Sequence, residues 1–387
     1  MKSDRIHKAG LRLVIAGGGT GGHVFPGIAV SDLLSRLISC ETMWIGTGRE
    51  IERNALKDRD VDYRVLDVHP IKGTSVPALF KAIGHLPISV SRSYSMLKGF
   101  KPDVVLGVGG YVSGPVMLAA KLLGIPSAIH EQNLLPGLAN RLAARFARKI
   151  FISFQESRRY FSAKKKLIVT GNPVRQEILD AAVTRAGDDD RQKDGFHILV
   201  IGGSQGASSL NRLAGSAIKA LWHSGHRFSF LHQTGQADLE NVRLFYSEAG
   251  IPASVSAFIH DMGQAYARAD LVVCRAGATT IAELTVMGRP AIFIPYPFAA
   301  EGHQELNAEL MEKKGAGIFL REAETGAIKL SSHIETLMED RKKLAKMAGK
   351  AKSLGKPEAA EEIARNLMQL AALSPMDLKG DFEGGTK

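Results

Sequence analysis

The sequence predicts an α/β protein built from two doubly wound parallel sheets. Three observations carry this. Short apolar runs alternate with helical patterns through both halves, as in strands laid parallel by helical crossovers. The chain has 387 residues, too many for one typical core. The halves also echo one another: LRLVIAGGGTGG (Leu11–Gly22) and FHILVIGGSQGA (Phe196–Ala207) each run a buried strand into a glycine turn and a helix.

In order along the first half, strands are expected at 11–16, 42–46, 62–68, 103–108, 126–130 and 149–153. After Asn172 comes a polar stretch ending in AGDDDRQKDG (Ala186–Gly195), which has the composition of a surface linker. The pattern then restarts, with strands expected near 197–202, 228–233, 254–257, 270–274, 290–294 and 316–320. The domains read as 1–172, a linker at 173–195, a second domain at 196–355, a C-terminal helix at 356–373 restarting at Pro357, and a glycine-rich disordered tail at 374–387. Ligands of such sheets bind beyond the carboxyl ends of the strands, and two sheets facing each other would make an interdomain cleft.

Composition narrows the class. Two distant cysteines, Cys40 and Cys274, make neither a disulfide framework nor a zinc cluster, so a reducing compartment is expected. The first residues, MKSDRIHKAG, lack the apolar core of a signal peptide. The longest uncharged apolar stretch, Val104–Ala120, is broken by four glycines and a proline, which argues against an integral membrane protein. Up to Asn172 there are 25 Lys+Arg against 12 Asp+Glu, a net of +13; from Pro173 there are 25 against 27, a net of −2. A basic half and a neutral half suggest a polyanion or anionic surface for the first and a small ligand for the second.

The motifs sit at predicted strand ends. GGGTGGHVFPG (Gly17–Gly27) lets the backbone turn tightly and offers helix N–H groups to an anion. Gly17, Gly19 and Gly22 also satisfy G-x-G-x-x-G, but the second strand ends in Gly46 and Thr47 where a nicotinamide site wants an acid. GVGGYVSGP (Gly107–Pro115) is a second glycine loop, which together with the first could cradle a diphosphate. IHEQN (Ile129–Asn133) places His130, Glu131 and Asn133 at a strand end. In the second half GGSQGAS has no lysine, so it is not a Walker loop, though Ser204 and neighbouring N–H groups could hold a phosphate. CRAGATTIAEL (Cys274–Leu284) carries Glu283, which is either a solvated helical glutamate or an acceptor for a ribose diol. PYPFAAEGHQELNA (Pro295–Ala308) carries His303, Gln304 and Asn307, and amides suit sugar hydroxyls. Asp58, Asp60 and Asp62 read as a solvated loop, and no metal set stands out.

From His69 to Pro102 five basic residues and no acid are interleaved with apolar ones; Phe80, Lys81, Leu86, Arg92 and Lys98 make a candidate membrane patch. Arg141–Arg175 adds ten basic residues and one acid, Glu156.

As a set, GGGTGGHVFPG, GVGGYVSGP, IHEQN, GNPVR (Gly171–Arg175), GGSQGA, CRAGATTIAEL and HQELNA closely resemble the MurG family of peptidoglycan N-acetylglucosaminyltransferases, from about Leu11 to about Leu370. The resemblance implies a GT-B fold with two Rossmann-like domains facing a cleft. It implies transfer of N-acetylglucosamine from UDP-N-acetylglucosamine to undecaprenyl-diphospho-N-acetylmuramoyl-pentapeptide, lipid I to lipid II, by an inverting mechanism at the muramoyl 4-hydroxyl. Thr20, Gly21, Gly22 and Asn133 would line the donor side, and Arg175 and Ser204 would meet its phosphates. Ile259 would contact uracil through its backbone. Ala278, Thr279, Thr280, Ile281, Ala282 and Glu283 would wrap ribose and phosphate, and Gln304 would hold the sugar. Gly18, Gly19, Gly109, Gly110, Tyr111 and Ser113 would serve the acceptor's diphosphate. His23 is the candidate general base, with Glu131 as its rival.

No tightly bound cofactor or directly coordinated metal is implied. Partners would be the two substrates, an anionic membrane surface at the cytoplasmic face of the inner membrane, and other cell-wall synthesis proteins, with no nucleic acid. Three other readings stand at this point. They are another lipid-directed GT-B transferase, a nicotinamide oxidoreductase, and a non-catalytic basic protein tethered to membrane or nucleic acid.

Overall fold

In the computed structural model, residues 10–68, 76–185, 195–203 and 206–372 are described. The chain divides into two compact units, residues 1–173 with 358–387, and residues 174–357.

The first unit is built on strands β1 (Gly10–Gly17), β2 (Ser39–Gly46), β3 (Val61–Val65), β4 (Val104–Gly109), β5 (Ser127–Glu131), β6 (Lys149–Ile152) and β7 (Leu167–Val169). Between them lie α1 (Gly21–Leu37), α2 (Glu50–Leu56), α3 (Val76–Phe100), α4 (Ser113–Leu122) and α5 (Leu138–Ala143). All pairings are parallel, in the order β3-β2-β1-β4-β5-β6-β7. Strand β1 shows why its residues read as one apolar run: both faces of the sheet are covered. Leu11, Leu13 and Ile15 pack with Val24, Ile28 and Leu34 of α1, while Val14 and Ala16 pack with Val116, Met117 and Ala120 of α4. Strand β7 was not anticipated, because three residues after Lys164–Lys166 are too short a run to show a pattern.

The second unit opens with α6 (Gln176–Arg185), inside the stretch read as a linker. That stretch looked polar because the helix buries a narrow face: Ile178 is fully buried, and Glu177 backs onto Gly263. Residues 186–194 lie outside the described residues. The unit continues through β8 (His197–Ile201), α7 (Ser208–His223), β9 (Ser229–Gln233), α8 (Leu239–Glu248), β10 (Ser254–Ser256), α9 (Met262–Arg268) and β11 (Leu271–Cys274). Then follow α10 (Ala278–Met287), β12 (Ala291–Phe293), α11 (His303–Lys313), β13 (Gly317–Phe319), α12 (Ala327–Glu339) and α13 (Arg341–Leu354). The six strands are parallel in the order β10-β9-β8-β11-β12-β13.

The final helix, α14 (Ala359–Leu370), belongs to the first unit rather than standing apart. Its Ile363, Ala364 and Leu367 join the core of Leu11 and Leu34, and Lys149 Nζ donates to Asn366 Oδ1 (2.6 Å) and Gln369 Oε1 (3.1 Å). The tail from Ser374 lies outside the described residues. Among the described residues no helix is long and apolar enough to cross a membrane.

Candidate functional site

In the first unit the strand order reverses between β1 and β4, so the crevice for a ligand opens at their carboxyl ends. Both glycine loops emerge there, and they pack on each other. A Cβ on Gly110, which has φ +79°, would sit 2.7 Å from the Gly18 carbonyl oxygen, and one on Gly109 would sit 2.8 Å from the His23 ring. Ser113 does not present its hydroxyl to a ligand. It is fully buried, its Oγ lies 2.7 Å from the Ala16 carbonyl and 2.9 Å from that of Gly109, and it accepts from Gly109 N–H at 3.1 Å. Ser113 therefore clasps the second loop to β1, a contact that its expected role toward the acceptor did not include. Tyr111 is exposed at the tip of that loop.

The first glycine turn also differs from a plain anion cradle. Its Gly19 N–H donates to Glu52 Oε1 at 2.6 Å, so it is already spent on a protein anion. Glu52 is 0% exposed and accepts further from Thr47 N–H (2.7 Å), Gly48 N–H (3.2 Å), the Thr47 hydroxyl and the Tyr63 hydroxyl (2.7 Å). A Cβ on Gly18 would lie 2.3 Å from the same carboxylate. The Gly19 N–H thus serves Glu52 rather than a phosphate, and Gly18 leaves room for the same carboxylate. Burial alone would raise the Glu52 carboxyl, but the bonds from Thr47, Tyr63 and Gly19 outweigh it and hold it below the ordinary range. Burial and the Glu52 contact push the Tyr63 phenol up. Sequence reasoning missed Glu52 because it sought an acid at the end of β2. The acid lies inside α2 and folds back onto Thr47 and Gly48, whose loop N–H groups were the available signal.

Thr20 is extended at the N-cap of α1, ahead of Gly21, Gly22 and His23. His23 Nδ1 lies 3.2 Å from the Gly18 carbonyl oxygen. A carbonyl only accepts, so Nδ1 carries the proton, and in the neutral ring Nε2 is the basic nitrogen. Glu131, its rival as base, is buried with its carboxylate taken up by Asn133 N–H (2.9 Å), Gly137 N–H (3.1 Å) and Asn140 Nδ2 (2.8 Å). Burial raises its carboxyl despite these bonds. Glu131 staples its loop, holding Asn133 at the end of β5, and this geometry does not suit a base.

His130 is likewise structural. Its Nε2–H donates to the Gly171 carbonyl (3.1 Å), its Nδ1 accepts from Gln132 (3.2 Å), and burial lowers it to about 4. His232 in the second unit, bonded to Tyr246 and Asn211, is also lowered by burial to about 4. Unfolded imidazoles bind a proton near pH 6.5. Folding therefore excludes protons between these values, and stability falls as pH drops through that window. Each histidine is expected to cost about 2 kcal/mol of stability at pH 5 relative to pH 7. Urea midpoints that do not fall between pH 7 and pH 5 would contradict this.

In the second unit the order reverses between β8 and β11. After β8 the chain turns through Gly203 and Gly206; Gly206 has φ +77° and its Cβ would lie 2.0 Å from the Thr234 carbonyl oxygen. Ser204 lies outside the described residues. Helix α7 then starts without a side-chain cap. Arg275, not singled out by sequence, locks this end of the sheet. Its guanidinium is buried and donates to the Ile294 and Pro295 carbonyls (both 3.0 Å), to Ser209 Oγ (3.0 Å) and to Glu322.

After β11, Ala278, Thr279, Thr280, Ile281 and Ala282 form the first turns of α10, and the Thr279 hydroxyl oxygen is buried without a partner among the described residues. Glu283 is 4% exposed and both its oxygens are engaged, Oε1 by Arg175 (3.0 Å) and Oε2 by the Tyr266 hydroxyl (3.0 Å). Burial pushes the Glu283 carboxyl up, against the pull of Arg175, and Glu283 in turn keeps Arg175 protonated. Arg175 also meets Glu177 at 2.9 Å. A ribose or phosphate would therefore have to exchange with these partners. Gln304 Oε1 accepts from Tyr296 N–H (3.0 Å), and Ile259 is half-buried beyond β10.

Residues 13–152 match the glycosyltransferase family 28 N-terminal domain and residues 197–363 its C-terminal domain. A UDP-N-acetylglucosamine--N-acetylmuramyl-(pentapeptide) pyrophosphoryl-undecaprenol N-acetylglucosamine transferase of Geobacter metallireducens is 45% identical over 92% of this chain and 98% of its own. The protein of that name from Myxococcus xanthus is 44% identical over 92% and 91%. The crystal structure of Acinetobacter baumannii MurG superposes with TM-score 0.75 at 32% identity, covering 93% of this chain and 99% of that one. A UDP-GlcNAc 2-epimerase from Neisseria meningitidis (TM-score 0.65, 16% identity, 93% of this chain and 100% of that one) shares the fold alone. With two parallel Rossmann-like units of the GT-B type and this end-to-end likeness, the chain belongs to the MurG family of family 28 glycosyltransferases.

Proposed function

We propose that this glycosyltransferase moves N-acetylglucosamine from UDP-N-acetylglucosamine to the 4-hydroxyl of undecaprenyl-diphospho-N-acetylmuramoyl-pentapeptide, with inversion. One observation carries the reading: the likeness to the named transferases runs through both units. In support, Thr20, Asn133, Arg175 and Ile259 follow β1, β5, β7 and β10 in the chain, and ligands of such sheets bind beyond strand carboxyl ends. The acceptor oxygen attacks the anomeric carbon, the bond to the diphosphate oxygen breaks, and the acceptor proton passes to His23 Nε2. The negative charge gathering on UDP is met by Arg175 and by the N-terminus of α7. Incubation with UDP-N-acetylglucosamine should release UDP only when a lipid-linked muramoyl acceptor is added. Release at the same rate without acceptor would mark a hydrolase and overturn the reading.

The acceptor is lipid-borne, so we also propose peripheral binding to an anionic membrane. The supporting feature is the outer face of α3 and α4, where Leu86, Pro87, Val90, Tyr94, Leu118 and Leu122 line an apolar groove of 430 Å³. Leu122 is 64% exposed, and Arg92 and Lys98 on α3 and Lys121 on α4 are exposed as well. The side chains of Phe80 and Lys81 lie outside the described residues. Neutralising Arg92, Lys98 and Lys121 to Gln should weaken binding to phosphatidylglycerol vesicles by about 100-fold, since each basic residue near such a surface contributes about 1 kcal/mol. Unchanged sedimentation with vesicles would place the contact elsewhere.

A further inference from the structure

We infer that Glu52 is a positioning residue for the transfer, acting on His23 through a single peptide group. The inference rests on His23 as the base. The peptide joining Gly18 to Gly19 is held at both ends: its N–H donates to Glu52 Oε1 at 2.6 Å, and its carbonyl accepts from His23 Nδ1 at 3.2 Å. A carboxylate on a peptide N–H polarises that group and makes its carbonyl oxygen a stronger acceptor, because hydrogen bonds in a chain reinforce one another. A stronger acceptor on Nδ1–H makes Nε2 more basic and holds the tautomer that leaves Nε2 able to take a proton. A catalytic triad places a carboxylate directly on Nδ1 for the same purpose. Here one peptide stands between them.

The surroundings are built for this contact. Glu52 has no exposed surface through which to meet a ligand, so the ribose-binding role of an acid near this position in dinucleotide folds is closed to it. Its carboxylate is fixed by donors from Thr47 and Gly48 beyond β2 and from Tyr63 on β3. Glycines at 18 and 46 admit it: a Cβ at either would lie 2.3 Å from one of its two oxygens. The other charged or titratable groups bearing on this corner are few. Arg49 donates to the Gly19 carbonyl at 2.9 Å, and Arg53 acts on Tyr63. The second glycine loop, packed on the His23 ring, carries Tyr111, and β5 supplies His130, which feels His23, and Glu131.

The test is nitrogen-15 NMR of histidine-labelled full-length protein, set beside the pH profile of kcat/KM. Wild-type His23 should carry its proton on Nδ1 when neutral. In Glu52→Gln both the His23 titration midpoint and the acidic limb of kcat/KM should move to lower pH by about half a unit, as expected for loss of one nearby negative charge and a weaker chain. Turnover should fall several-fold. Glu50→Gln, which removes an exposed acid two residues away, should move neither. An Nε2–H tautomer in the wild type overturns the inference, even if Glu52→Gln fails to fold. So does a folded Glu52→Gln with an unmoved midpoint, or an equal shift from Glu50→Gln. A midpoint that moves while the rate profile stays put supports the Glu52 link and removes His23 as the base.

Discussion

Replacing His23 with Ala is expected to lower kcat by about 10²- to 10⁴-fold, the usual contribution of a positioned general base. KM for UDP-N-acetylglucosamine should change little, because the donor's phosphate and ribose contacts are proposed in the second unit. The fold should survive. The His23 ring packs on Gly109, its Nδ1 meets the Gly18 carbonyl and the Thr20 hydroxyl, and all of these are neutral groups. Initial rates of UDP release, with circular dichroism to confirm folding, check this. Near-normal turnover would falsify His23 as the base, and Glu131 could not simply replace it, since its carboxylate is buried and committed to Asn133, Gly137 and Asn140.

Arg175→Ala carries the second large effect, on both stability and donor binding. Removing one partner of a buried ion pair strands the other, typically at 3–5 kcal/mol. The Arg175 side chain is 23% exposed and the Tyr266 bond to Glu283 remains, so about 2 kcal/mol is expected here. If Arg175 also meets the donor's phosphates, KM for UDP-N-acetylglucosamine should rise about 10- to 100-fold, as for loss of one charge-assisted hydrogen bond. The double variant Arg175→Ala/Glu283→Gln, set beside Glu283→Gln alone, separates the two roles. It removes the stranded charge, so the urea midpoint should recover most of the loss while KM stays high. Recovery of KM in the double variant would show that Arg175 acts only on the fold.

The same ion pair shows where sequence reading stops. The resemblance implied a ligand contact for Arg175 and for Glu283, each through its own motif. Their pairing across 108 positions could not be read from either motif. Ser113 and Glu131 show the same limit: a polar residue in a loop at a strand end looks available, but whether its lone pairs are already used depends on backbone groups elsewhere in the chain. Ser113 meets the Ala16 carbonyl 97 positions away. Glu52 is the converse, a residue passed over because its contact with Gly19 crosses from one strand end to the next.

By itself the sequence determined the two parallel sheets, the glycine turns at their strand ends and the family, because these rest on local patterns: apolar runs, turn residues and motif order. The tertiary structure alone decided which polar groups remain for a substrate. It gave Gly19 N–H to Glu52, Ser113 to β1, Glu131 to its own loop and α14 to the first unit. The reason is that a hydrogen bond or a buried face is settled by neighbours in space, and in a doubly wound sheet those neighbours come from strands far apart in the chain.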